Sequence, residues 1–237
     1  MISRRQFLRL SAAAGAGLAV PWRVPVFADD HRPLSPIPGG SLDPTIVPKY
    51  ATPLVKPPAM PNAGSTNQYE IAVRQFQQYI LPSSMGLQPT TVWSYGSTKH
   101  AGTVGEGGTF NYPAFTIEAI HNQPVRVKWI NDLVDTNGNY LPHLLAVDQT
   151  LHWANPPGGN AGRDTRGTNP DPYLGPVPIV THVHGMEGIG DESDGYTEAW
   201  YLPAANNIPA GYATVGTWYD RFKNQAAGKF GLNWEPG

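Results

Sequence analysis

The chain has 237 residues, a length that suits one or two domains and is enough to bury a core. It contains 26 Gly and 25 Pro and only 14% charged residues, a composition that excludes long helices through most of the sequence and favours an ordered, loop-rich β protein. A formal net charge of −2 without a basic run argues against nucleic acid as a partner, and the absence of Cys excludes disulfides and thiolate metal ligands.

Residues 1–28 have the features of a twin-arginine signal peptide. Arg4 and Arg5 have the favoured Ser before them and Phe-Leu after them, an apolar run covers 10–20, and a small-residue cleavage site precedes Asp29. The alternative is a short N-terminal helix with two chance arginines. The signal predicts that the Tat export machinery carries the folded protein to the periplasm, the extracellular space or the cell surface. Its removal lowers the formal net charge to about −6, because it takes away four arginines and no acidic residue.

A Pro-rich segment, residues 29–65, follows the signal. Proline at this density favours extended backbone, either as a disordered linker or as an arm packed over a domain surface. Beyond the signal, no apolar stretch approaches the roughly 20 residues that a membrane helix needs. The sequence therefore predicts an arm, then a domain at 66–237, and no membrane-spanning segment in the mature chain.

Strand patterns begin at residue 68. Apolar and polar residues alternate in the segments 68–81 and 124–131, and the segments 90–96, 114–120 and 178–184 also have strand character. Loops rich in Gly, Pro and Asn join these segments without a convincing helix between them. A hairpin-sized loop separates 114–120 from 124–131. This pattern predicts an antiparallel β-sandwich or barrel.

Two histidines, His182 and His184, lie one residue apart in the last predicted strand. Residues i and i+2 of a strand point to the same face, about 6.5–7 Å apart, while Val183 between them should turn into the core. That spacing suits two neighbouring metal ions, or one ion and a supporting contact, and neutral imidazole suits Cu, Zn, Fe and Ni. The alternative is a chance pair without a metal.

The segment THVHG, followed by SDGYTEAW, resembles the first copper-binding segment of multicopper oxidases, in particular the bacterial spore-coat laccase and bilirubin oxidase branch. Further similarity lies upstream, in the VRVKWINDL and LPHLLAVDQTLH segments and in the arm around LDPTIVPK. The resemblance covers about residues 42–203. It implies an all-β, cupredoxin-like Greek-key β-sandwich or barrel, normally the first of three such domains. In this chain that domain, 66–237, is expected to be incomplete at its C-terminal end.

The resemblance also implies roles for individual residues. His182 takes the position of the type-2 copper ligand, and His184 that of a type-3 copper ligand. Asp194 takes the position of a carboxylate that lies close to the oxygen-reducing centre and assists proton delivery. Its alternative is a turn aspartate that caps its own loop. Glu198 and Trp200 are expected to serve structure rather than chemistry.

The remaining histidines do not extend this pattern. His143 and His152 are expected to be loop histidines or to lie behind the ligands, and the last three, His31, His100 and His121, belong to no motif. The family's three further His-bearing segments, one of which includes the Cys of the blue type-1 copper, are missing from the sequence. The chain is therefore expected to be a truncated piece of an oxidase and to be inactive by itself.

Two functions follow from these observations. The resemblance implies the N-terminal part of an exported laccase-like oxidase, a copper-dependent oxidoreductase that takes electrons from a small phenolic or similar donor and reduces O2 to water. The alternative is a non-catalytic secreted β-sandwich that binds copper, or zinc, weakly. The sequence does not distinguish one electron donor from another.

Overall fold

The computed structural model describes residue 42 and residues 44–232. They belong to one unit of the chain, Ser35–Gly237; the other unit, Met1–Leu34, lies outside the described residues. The predicted signal peptide at 1–28, the first part of the predicted arm and the last five residues of the chain also lie outside them. The described unit is β-rich, with a small mixed sheet and few helices.

Three strands form this sheet: β1 (Gln68–Gln78), β2 (Thr90–Ser97) and β3 (Arg126–Asn131). β1 lies in the centre and pairs antiparallel with β2 and parallel with β3. The first, second and fourth of the predicted strands are therefore confirmed. The prediction of a purely antiparallel sheet is wrong.

The alternation along β1 places its apolar side chains in the core, as predicted. Tyr69 and Ile71 are 5% and 1% exposed and pack with Met60, while Val73 packs with the fully buried Leu133. Burying side chains of this size contributes about 1.5–3 kcal/mol each to folding. The central strand is thus fixed both by its ladders and by two apolar clusters.

The predicted strand at 114–120 is wrong. Thr116 forms a single parallel bridge with Ala59 of the arm, in which Met60 N–H donates to Thr116 O at 2.8 Å and Thr116 N–H donates to Pro58 O at 2.8 Å. Because the arm has prolines on both sides of this bridge, it lacks the N–H donors that would extend the ladder. No hairpin therefore leads into β3, and β3 pairs with β1 instead.

The predicted strand at 178–184 is also wrong. Ile179 and Tyr201 form one antiparallel bridge, with N–H···O distances of 3.1 and 3.0 Å in the two directions. Continuing this register would bring 181–184 beside Thr197–Ala199, which is wound into a 3-10 helix. A 3-10 turn cannot offer the outward N–H and C=O groups of a strand, so the pairing ends after one bridge.

The described residues form two α-helices, α1 (Gly159–Gly162) and α2 (Tyr219–Phe230). The sequence analysis did not predict α2, which buries Phe222 and Ala226 and ends at Gly231, whose φ is +63°. No helix among the described residues is long and apolar enough to cross a bilayer. Short 3-10 helices occur at Pro44–Ile46, Ser83–Met85, Thr98–His100, Val104–Glu106, Pro156–Gly158, Asp191–Ser193 and Thr197–Ala199.

The described part of the Pro-rich segment contacts the core near its end. Met60 is 3% exposed and belongs to the cluster under β1, whereas Tyr50 and Leu54 are exposed. A third core cluster lies below the histidine pair. It contains Trp200, with Val180 packed against it, and so anchors the chain two residues before the first of the two histidines.

Candidate metal centre

The two histidines of the pair are neighbours in space. The ring centres of His182 and His184 are 6.0 Å apart, with an angle of 45° between the ring planes, and both side chains are exposed. The predicted proximity of the side chains is confirmed, although the segment has no strand partner. Val183 is 52% exposed, so the prediction that it turns into the core is wrong. Without a paired strand, no sheet face covers this residue.

The ring of His182 is held by the chain on two sides. Its Nδ1 lies 3.5 Å from the backbone O of Val180, which leaves Nε2 directed away from its own backbone. On the other side lies Gly195, where an added Cβ would collide with the His182 ring. The φ of Gly195 is +75°, a conformation that side chains rarely adopt, so both conformation and space require glycine here. The Ser-Asp-Gly segment is therefore in direct contact with the first histidine.

Asp194 precedes this glycine and is exposed to solvent. It follows the 3-10 helix Asp191–Ser193, and its N–H donates to Asp191 O at 3.4 Å. Its carboxylate has no hydrogen-bond partner among the residues that the structure describes. Asp194 is thus available to water, one residue before the glycine that lies against the His182 ring, and its carboxylate does not cap the described part of its own loop.

Trp200 and Glu198 make structural contacts. Trp200 is 1% exposed, and its Nε1 donates to Asp164 Oδ1 at 2.6 Å. Asp164 also accepts from Thr217 N–H at 2.7 Å through Oδ2. The backbone O of Glu198 accepts from Trp218 N–H at 2.9 Å. These bonds join the end of the SDGYTEAW segment to the loop that leads into α2.

The sequence analysis missed Glu192, a carboxylate in the same loop. Its side chain is only 2% exposed and accepts hydrogen bonds from two side chains of α2, Lys229 Nζ at 2.9 Å and Gln225 Nε2 at 3.0 Å. The hydrogen bond from Lys229 holds the pKa of Glu192 below its usual range, against the opposing effect of burial. The uninterrupted stretch 219–227, which lacks Gly and Pro, could have indicated the helix that supplies these donors.

The other described histidines lie in different surroundings. His143 packs between Trp93 and Tyr173, with ring-centre distances of 6.0 and 5.8 Å, and burial lowers its pKa so that the neutral form is favoured. His152 Nε2 lies 2.6 Å from the backbone O of Asp164. His100 and His121 are exposed, and His31 lies outside the described residues.

The described residues offer few ligands for a metal ion at the histidine pair. Within the described part of the chain, no group of three or more His, Cys, Asp or Glu side chains lies close enough to hold one ion. Because a metal–imidazole bond is about 2.0–2.1 Å long, ring centres 6.0 Å apart allow each ring to hold its own ion while the ions stay neighbours. Exposed imidazole nitrogens are ligands that suit Cu, Zn, Fe and Ni.

Comparison with known proteins gives two kinds of match. Residues 1–21 match the model of the TAT (twin-arginine translocation) pathway signal sequence, so the chain carries a signal for export across the cytoplasmic membrane. Curated relatives match a larger part of the chain. A protein named "Laccase" from Bacillus stratosphericus is 31% identical over 156 residues, which are 65% of this chain and 22% of that protein.

Two further relatives agree with this match. A "Laccase" from Bacillus subtilis (strain 168) is 33% identical over 116 residues, 48% of this chain and 16% of that protein. "Multicopper oxidase LPR1 homolog 3" from Oryza sativa subsp. japonica is 30% identical over 123 residues, 52% of this chain and 17% of that protein. The matched part of the chain thus spans about a fifth of the length of these relatives. No solved structure gives a significant match.

Proposed function

Because the chain belongs, over part of its length, to the multicopper oxidase family, we propose that it is the N-terminal part of an exported laccase-like oxidase. The complete enzyme couples one-electron oxidation of a phenolic or similar small donor to the reduction of O2 to water. In this proposal the Pro-rich arm at 29–65 precedes a cupredoxin-like Greek-key domain at 66–237. The described β-rich unit with its mixed sheet contains most of that domain.

The observation that carries the proposal is the placement of the histidine pair against the Ser-Asp-Gly segment. The rings of His182 and His184 are 6.0 Å apart and open to solvent, and Gly195 lies against the first ring. Two segments that are separate in sequence therefore meet at the donors. In the proposed enzyme His182 binds the type-2 copper and His184 binds one of the type-3 coppers.

The donor atoms of the pair fit this role. With Nδ1 of His182 facing the backbone O of Val180 at 3.5 Å, Nε2 is the nitrogen left for a metal. Copper held there would supply the redox chemistry, in which electrons from four donor molecules, together with four protons, convert one O2 to two water molecules. The chain's own contribution is to hold two imidazoles at neighbouring positions and to restrict the rotation of one of them.

Asp194 is the proposed group for proton delivery. It is exposed, has no side-chain partner among the described residues and stands next to the glycine that contacts His182. A carboxylate in that place can take a proton from bulk water and release it toward the oxygen-reducing centre. Trp200 and Glu198 fix the loop and take no part in the chemistry.

A second candidate function rests on a different observation. Within the described residues the pair has no third His, Asp or Glu close enough to join it on one ion, and both rings lie at the surface. Such a site favours loose binding of copper or zinc by a non-catalytic secreted β protein. The two candidates differ in what removing one histidine does to a complete oxidase.

A metal titration of the purified chain tests the proposed ligands. We expect His182→Ala and His184→Ala each to weaken Cu²⁺ binding at least about tenfold, measured by isothermal titration calorimetry and by the nitrogen hyperfine pattern in electron paramagnetic resonance. His121→Ala is the matched control, because His121 is exposed and lies outside the pair. Unchanged Cu²⁺ affinity in both variants of the pair would contradict the proposal.

The same substitution separates the two candidate functions in a full-length relative that contains this segment. If the equivalent of His182 holds the type-2 copper, its replacement by Ala abolishes O2 uptake. If the segment only binds copper loosely, O2 uptake stays unchanged.

A further inference from the structure

One side of α2 faces the loop that carries the Ser-Asp-Gly segment. The residues on this side follow one another at intervals of four, three and four positions, a spacing that aligns side chains along one face of a helix. We call them the clamp face: Trp218, which immediately precedes the helix, and the helical residues Phe222, Gln225 and Lys229. The clamp face contacts the loop at two points, one at each end of the helix.

At the N-terminal end of α2, the clamp face holds Tyr196. The rings of Tyr196 and Trp218 are stacked, with centres 5.5 Å apart and an angle of 7° between their planes. Phe222, one turn further along, contacts the same tyrosine ring at 5.2 Å with a tilt of 51°. Tyr196 is 38% exposed, so these two ring contacts cover only part of it and are what holds its side chain on the helix.

At the C-terminal end of α2, the clamp face holds Glu192. Lys229 Nζ and Gln225 Nε2 donate to its carboxylate at 2.9 and 3.0 Å. The Glu192 side chain is 2% exposed, whereas that of Lys229 is 49% exposed. Truncating this side chain removes both bonds, so the loop loses its polar contacts with this end of α2.

The two contacts lie on either side of Gly195. Tyr196 is the next residue in the chain, and Glu192 is three residues before it. Gly195 lies against the His182 ring, at a distance that leaves no space for a Cβ. A movement of the loop relative to α2 would therefore change the space beside this ring. The structure thus connects a helix to a candidate metal ligand through one glycine.

We infer that α2 is the positioning element of His182: its clamp face fixes Glu192 and Tyr196, and thereby the wall against which the imidazole rests. The importance of this for a metal depends on the proposed role of His182 as a ligand. The clamp itself does not depend on that role, because it is built from contacts within the chain. Glu192 and Tyr196 are positioning residues rather than catalytic ones.

Hydrogen exchange and nuclear magnetic resonance test the clamp without any metal. The amides of Ser193 and Ala199, on either side of Gly195, donate to Gly190 O and Tyr196 O at 2.9 Å each. In the purified chain, we expect Glu192→Ala and Tyr196→Ala to raise the exchange rate of these two amides about tenfold and to change the chemical shifts of the His182 ring. Asn224→Ala is the matched control, since Asn224 is exposed on the same helix between two clamp residues and is not one of them. It should leave both measurements unchanged.

The conservative variant Glu192→Gln tests whether Glu192→Ala acts only by unfolding the chain. Lys229 and Gln225 bond to different oxygens of Glu192, and the amide oxygen of the glutamine can replace one of them, so this variant should keep part of the protection that Glu192→Ala loses. If Glu192→Ala and Glu192→Gln both leave the exchange of Ser193 and Ala199 and the His182 ring signals unchanged, the clamp inference is wrong. Equal changes in Asn224→Ala would also overturn it, because they would indicate general loosening of the helix.

A Cu²⁺ titration of the same variants links the clamp to binding. We expect Glu192→Ala to weaken Cu²⁺ affinity about three- to tenfold, and Asn224→Ala to leave it unchanged. Unchanged affinity despite faster exchange at Ser193 and Ala199 would show that the clamp holds the loop but not the ligand, which contradicts the inference. If instead His182→Ala has no effect on Cu²⁺ binding, the proposed function fails, while the metal-free measurements still decide the clamp.

Discussion

The sheet and the histidine loop of this protein are held together in different ways. In the sheet, backbone ladders join β1 to β2 and β3, and apolar side chains such as Ile71 fill the core below. In the loop, 181–200, regular pairing ends after the bridge between Ile179 and Tyr201, and the order depends on individual side-chain contacts. The candidate site is therefore held only where distant parts of the chain contact it.

The largest expected effect comes from removing the main anchor of the loop. Trp200 is 1% exposed and donates from Nε1 to Asp164. We expect Trp200→Ala to lower the free energy of unfolding by about 3–5 kcal/mol, since it leaves a cavity and an unpaired carboxylate oxygen. Urea unfolding measures this loss. Trp200→Phe retains most of the packing and should lose clearly less; an equal loss in both variants would show that the hydrogen bond, rather than packing, anchors the loop.

A core substitution in the sheet should lower the free energy of unfolding by nearly as much, but it should leave the histidine loop unchanged. Ile71 is 1% exposed in the centre of β1, and Ile71→Ala should lower the free energy of unfolding by about 2–5 kcal/mol. Ile71→Val, the matched control, should cost about 0.5–1.5 kcal/mol. In the folded fraction of Ile71→Ala, the ring signals of His182 should stay at their wild-type positions. A change in those signals would mean that the sheet and the loop are coupled more closely than their contacts indicate.

The sequence predicted the sheet better than the loop for a physical reason. The alternation of Tyr69, Ile71 and Val73 is a local signal, and burial of one face is enough to turn it into a strand. At 114–120 and 178–184 the same signal is present, but a strand also needs a partner with free N–H and C=O groups. Prolines in the arm and a 3-10 helix at 197–199 remove those partners, and neither effect is visible within the segment itself.

The candidate site shows the same division. The spacing of His182 and His184 was sufficient to predict neighbouring rings, whereas the resemblance of the following segment directed attention to Asp194 and not to Gly195, the residue that contacts the His182 ring. Glu192 could not be assigned a partner, because its donors lie 33 and 37 residues further along the chain, on a helix that the sequence analysis did not identify. Contacts of this range depend on the folded arrangement and have no local signal.

Two glycines of the loop have the same backbone conformation but different surroundings. Gly195 and Gly188 have φ values of +75° and +79°, but a Cβ at Gly195 would collide with the His182 ring, whereas one at Gly188 would meet nothing. Replacing either by Ala should cost about 1–2 kcal/mol for the left-handed conformation. Only Gly195→Ala should also weaken Cu²⁺ binding, by about tenfold, in a calorimetric titration. Equal Cu²⁺ affinities in the two variants would show that the close approach to His182 has no bearing on the metal.

The smallest expected effect is a pH-dependent one at Glu192. Its hydrogen bond with Lys229 lowers its pKa in the folded chain, so the carboxylate stabilises the fold at a pH above the unfolded value of about 4.3. This contribution is lost as the pH falls through the lower folded pKa. The difference in unfolding free energy between the wild type and Glu192→Gln should therefore be below about 1 kcal/mol at neutral pH and should shrink toward pH 3.

Urea unfolding at a series of pH values measures this difference, with Glu118→Gln as a control at a glutamate outside the loop. A difference that grows on acidification would mean that burial, rather than the bond to Lys229, controls the ionisation of Glu192, and that the helix holds the loop through the aromatic contacts of Tyr196 instead.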